Sequence, residues 1–84
     1  MEIRFAKQAR RHKIGRAHAL YIMRGEPVEA TRPTGEVELS WVGPDGTGRE
    51  LRVIGVVTTH TRTGRQMVLV IHVMPTALER RRMK

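Results

Sequence analysis

Hydrophobic and polar positions along the 84-residue chain change their period near residue 35. From Ile3 to Arg24 there is no proline, and only Gly15 interrupts a helix-favouring composition. Phe5, Ala6 and Ala9 with Lys13 predict a first helix over roughly residues 3–12, with a basic outer face. Ile14-Gly15-Arg16 reads as a break. Ile14, Ala17 and Tyr21, with Leu20 widening the stripe, predict a second helix over about residues 15–24. One kinked helix over the same span is the alternative. Tyr21 falls on the apolar stripe, which makes it a core residue with its hydroxyl at the rim. Gly25 and Pro27 supply the stop.

Beyond Pro33-Thr34-Gly35 the period becomes two. Val37, Leu39 and Trp41 alternate with Glu36, Glu38 and Ser40, the pattern of a half-buried strand with an acidic outer face. The turn cluster from Gly43 to Gly48 predicts a hairpin into a second strand, about Arg49 to Thr59. Thr61 to Gly64 is a second turn. Gln66 to Met74 is almost wholly apolar except for His72, which reads as a central strand covered on both faces. Pro75 ends it, and Thr76 is placed to cap a terminal helix over about residues 77–82. The expected fold class is α+β: two N-terminal helices, a three-stranded or four-stranded antiparallel meander and a short C-terminal helix.

Composition narrows the class further. The hydrophobic fraction of 39% excludes a wholly disordered chain, and the length has room for one domain, residues 1–84. There is no cysteine, hence no disulfide, thiolate nucleophile or cysteine-held zinc or iron–sulfur centre. The basic start lacks the apolar stretch of a signal peptide, and the longest purely apolar run, Met67 to Ile71, is far short of a bilayer span. The expectation is a small soluble protein of the cytoplasm with no membrane partner.

Charge is the first functional clue. Lys and Arg number 16 against 8 acidic residues, a formal charge of +8. Residues 1–24 set Arg4, Lys7, Arg10, Arg11, Lys13, Arg16 and Arg24 against Glu2 alone. The middle sets Arg32 against Glu26, Glu29, Glu36, Glu38 and Asp45, and the remainder is basic again, with Arg80-Arg81-Arg82 and Lys84 at its end. Two basic ends flanking an acidic middle predict a positive surface for a polyanion. An acidic protein partner fits the same pattern.

The chemistry available is narrow. His12, His18, His60 and His72 are the side chains whose ordinary titration lies near neutrality. His12 and His18 fall on different helical faces, and no carboxylate stands at a ligand spacing from any histidine, so neither a metal nor another cofactor is expected. Gly43, Gly46 and Gly48 do not lead a helix, so they are turn glycines and not a phosphate loop. Ser40, the sole serine, lacks a nucleophile-elbow sequence. Phosphate chemistry with Arg, Lys, His and Tyr remains, and metal-free RNA cleavage is one form of it. Such cleavage needs a base for the 2′-OH, cations for the phosphorane and an acid for the leaving oxygen. Each candidate also has a plain structural role: His72 as a core histidine, Trp41 as packing, Arg80–Arg82 as a solvated helix end.

The basic start Phe5 to Ile14, the strand Gly48-Arg49-Glu50-Leu51-Arg52-Val53-Ile54-Gly55-Val56 and the apolar strand Gln66 to Pro75 resemble the RelE/ParE-like superfamily of type II toxins, nearest its BrnT-like branch. The resemblance implies a RelE-like fold, mRNA cleavage that inhibits translation, and a cognate antitoxin that joins the toxin on operator DNA. It matches Arg49 and Arg52 to basic strand residues, and His72 to a position where relatives commonly carry Arg. The sequence departs from relatives after that strand, where Pro75-Thr76-Ala77-Leu78 delays the next cation to Arg80. Catalysis is therefore expected from His12, Arg49, Arg52 and His72, and RNA binding from Arg11, Lys13, Arg16, Arg80, Arg81 and Arg82. The competing expectation is a non-catalytic basic module that binds nucleic acid or an antitoxin.

Overall fold

The computed structural model describes residues 2–10 and 14–82, with side chains up to Glu79. The chain opens with β1 (Glu2–Phe5) and a 3-10 turn (Lys7–Arg10), followed by α1 (Arg16–Ile22). Four strands follow, β2 (Val28–Thr31), β3 (Val37–Pro44), β4 (Glu50–Thr59) and β5 (Gln66–Pro75), and then α2 (Thr76–Arg82). One five-stranded sheet runs in the order β1-β5-β4-β3-β2. β1 lies parallel to β5, and every other neighbouring pair is antiparallel.

This corrects the expected arrangement. The molecule is mostly a mixed sheet with one short N-terminal helix, not a RelE-like α+β fold with two N-terminal helices over an antiparallel meander. The first expected helix is β1 plus the 3-10 turn. Ile3 and Phe5 alternate with Glu2 and Arg4, and this period of two pairs Ile3 with Val68 and Phe5 with Val70 on β5. Ala6 continues the docking by donating to the Val70 carbonyl at 2.8 Å. Distant pairing outweighs the local helix preference of the alanines and lysine. The fifth strand, β2, lies between the expected second helix and the first expected strand, where four residues are too few for a periodic signal.

The core lies on one face of the sheet. Leu51 and Val53 of β4, Trp41 of β3 and Val68, Val70 and Val73 of β5 pack against Ala9 of the 3-10 turn and Ala19 and Ile22 of α1. Ile3, Phe5 and Leu39 pack against this cluster. Strict alternation along β5 would put His72 on the same side as Val68 and Val70. It does not, because a bulge intervenes. Ile54 pairs with His72 while the next residue, Gly55, pairs with Val70, which leaves Ile71 as an extra residue. Val73 thereby returns to the core, and His72 emerges on the opposite face. Met74, paired with Arg52, occupies that face too, under α2.

Candidate functional site

Arg52 and His72 meet through a residue that sequence patterning did not single out. Glu79, on α2, accepts from Arg52 Nε at 2.9 Å with one carboxylate oxygen. Its other oxygen lies 3.3 Å from His72 Nε2. Arg52 also donates through Nη1 to the Ser40 hydroxyl at 3.3 Å. The register explains the gathering: Ser40 and His72 flank Ile54 on the two neighbouring strands, and Arg52 is two residues before Ile54 on the same face. α2 follows β5 directly and folds back over this face. Its first residue helps to hold it there, since the Thr76 hydroxyl donates to Glu50 at 2.7 Å. All three charged groups of the cluster are partly open to solvent.

Glu79 is a lone acid ahead of three arginines, and the spacing Pro75-Thr76-Ala77-Leu78-Glu79 is the signal that was present. One helical turn from Thr76 brings residue 79 back over the last strand residues.

Arg49 stands elsewhere, in the hairpin between β3 and β4. Its Nη2 is 2.9 Å from Asp45, a residue only 4% exposed. Thr47 donates to the same carboxylate from its backbone N–H at 2.9 Å and from its hydroxyl. His18 of α1 lies 3.6 Å away on the outer side. The Thr47 hydroxyl does most to hold the Asp45 carboxyl well below the usual carboxylate range. Burial opposes it, while the Thr47 N–H and the Arg49 guanidinium reinforce it. Lowering in the folded state gives the sign of the pH effect. The associated stability is complete above the unfolded value, roughly 4, and is lost as pH falls from there toward the folded value. The gap in urea midpoint between the wild type and Asp45→Asn is expected to be constant from about pH 7 to 5 and to narrow below about pH 4. A gap that holds its full size down to about pH 2 would contradict this account.

Of the remaining expected cations, Arg16 alone has a described side chain. Arg16, on the first turn of α1, has its guanidinium carbon 5.1 Å from the Phe5 ring centroid, so it covers the core beside β1. Arg80, Arg81 and Arg82 belong to α2 by their backbone, and their side chains lie outside what is described. Arg11, His12 and Lys13 lie outside the described residues altogether. Of the four expected catalytic residues, Arg52 and His72 come together and Arg49 does not join them. Tyr21, expected in the core, is 50% exposed.

Among the described residues no three His, Cys, Asp or Glu side chains are grouped to hold a metal ion. No described helix is long and apolar enough to cross a membrane. Comparison of the chain with protein-family models, curated proteins and solved structures finds no match in any of the three.

Proposed function

We propose that this chain is a metal-independent endoribonuclease acting in the cytoplasm as the toxin of a toxin–antitoxin pair, with Arg52, His72 and Glu79 as its site. One observation carries the reading: a single carboxylate joins a histidine and an arginine on a partly open sheet face. Those are the parts that 2′-OH attack requires. Glu79 accepts from Nε2–H of His72, which leaves Nδ1 with the lone pair and stabilises the imidazolium once formed. His72 takes the 2′-OH proton at Nδ1, and the 2′-oxygen attacks phosphorus. Arg52 neutralises charge on the phosphorane oxygens. The bond to the 5′-oxygen breaks, that oxygen leaves with a proton from water, and the hydroxide so formed takes the proton back from Nδ1 of His72. The products are a 2′,3′-cyclic phosphate and a 5′-hydroxyl.

The same three residues also pin α2 to the sheet, so the test must separate a catalyst from a clamp. Purified protein is incubated with single-stranded RNA in EDTA, and the ends of the fragments are identified. Cyclic phosphate ends are expected. RNA left intact under these conditions defeats the enzyme reading.

The second reading, a basic module that binds without turnover, is favoured by the charge of +8. It gives strongly salt-dependent affinity for RNA and no fragments. Finding a short neighbouring reading frame for an acidic or DNA-binding protein would favour the toxin biology, in which that protein is the antitoxin and carries the pair to operator DNA.

A further inference from the structure

A polar hollow opens at the end of α1, on the side of the sheet that α1 covers. Its volume is about 360 Å³, and Tyr21, Arg24 and Gly25 line it. The Arg24 guanidinium carbon lies 5.9 Å from the Tyr21 ring centroid. Trp41, the sole tryptophan, supports the hollow from within: its indole N–H donates to the Gly25 carbonyl at 3.1 Å. The β3–β4 turn backs the tyrosine, since a Cβ on Gly46 would lie 3.9 Å from Tyr21 Cζ. His18, three residues earlier, extends the same helix face toward Asp45 and Arg49.

An aromatic ring half out of water, on the helix that supplies Ala19 and Ile22 to the core, is held where a flat ligand can reach it. Arg24 pairs with no carboxylate among the described residues. It stands just past the C-cap residue Met23 of α1, where a cation suits the helix dipole. A π-face beside an unneutralised guanidinium is the combination that takes an unpaired base together with its phosphate.

We infer that Tyr21 and Arg24 form a nucleobase-stacking subsite for single-stranded nucleic acid, the base lying on the Tyr21 ring and the adjoining phosphate on Arg24. The inference rests on the nucleic-acid reading above and adds where the strand is held. It does not depend on cleavage.

The probe is a short fluorescently labelled oligothymidylate, which lacks a 2′-OH and so cannot be cut by the proposed route. Binding is read by anisotropy and independently by the emission of Trp41. The wild type is expected to bind with an affinity that falls as salt rises. Tyr21→Ala should weaken binding about tenfold or more, and Tyr21→Phe should restore it, because the ring and not the hydroxyl stacks. Arg24→Gln should lower the slope of log affinity against log salt by about 0.7, the value for one phosphate contact on a single strand. Unchanged affinity in a folded Tyr21→Ala protein, absence of binding by the wild type, or equal competition by polyglutamate would each overturn the subsite. Loss of oligothymidylate binding in Tyr21→Ala together with uncut RNA in the wild type would remove the nuclease reading and keep the subsite. RNA cleavage with wild-type thymidylate affinity in Tyr21→Ala would do the reverse.

Discussion

His72→Ala is expected to slow RNA cleavage by about 10²- to 10⁴-fold, the span over which positioned proton transfer contributes to rate. The protein should stay folded. His72 is on the face away from the main core, paired with Ile54 and held, among the described residues, by Glu79, so its removal leaves Leu51, Val53, Val70 and Val73 packed as before. Glu79 keeps its bond from Arg52, so no buried charge is orphaned. Unfolding in urea is therefore expected to shift little, while cleavage collapses. Glu79→Gln gives the complementary result. The amide still meets Arg52 and His72 in shape, but it no longer stabilises an imidazolium, so the rate falls with α2 still docked. Cleavage at the wild-type rate by folded His72→Ala would move the catalyst away from this cluster.

Gly55→Val is expected to cost about 3 kcal/mol or more, at the upper end of what overpacking a filled interior costs. Gly55 is ordinary extended strand, and the need here is for space. A Cβ at this position would come within 2.5 Å of Val68 Cγ1 and 3.6 Å of both the Trp41 ring and the Leu69 carbonyl. Val68 cannot swing away, because a β-branched side chain has few rotamers. β4 cannot back off either, since it is laced to β3 through Leu39 and to β5 through Val70 at that level. A domain of this length holds on the order of 4–13 kcal/mol of net stability, so the loss is a large share of the whole. The urea midpoint checks it. Gly55→Ala combined with Val68→Ala should cost less than the two single changes together, because the second vacates what the first occupies.

The three long strands and the second helix stand close to where hydrophobic periodicity puts them, and the terminal helix stands where the Pro75 stop and the Thr76 cap put it. Each of the first four carries enough residues for its period to be read locally. β1 and β2 were not legible for the same physical reason. Four residues hold two repeats at most, and both strands exist because a longer neighbour offers them a ladder. For the site, Arg52 and His72 were legible as chemistry on strands, yet their companionship was not. It depends on Ile71 standing outside the ladder and on a helix that folds back, and neither leaves a periodic trace. Asp45 was counted as one more acid in an acidic middle. Its burial follows from the tight turn that lets Thr47 reach it, which a charge count does not register.

β2 forms one of the two borders of the sheet, and all four of its residues are exposed, Val28 at 71%. One row of its peptide groups is left for water, the kind of template on which a neighbouring molecule can zip. Pro27 and Pro33 stand close by on either side, and proline has no N–H to give. Any intruding strand would therefore find a ladder only a few rungs long, with the Glu29 charge in the middle of it. Brevity and proline bracketing protect this border from stacking copy upon copy.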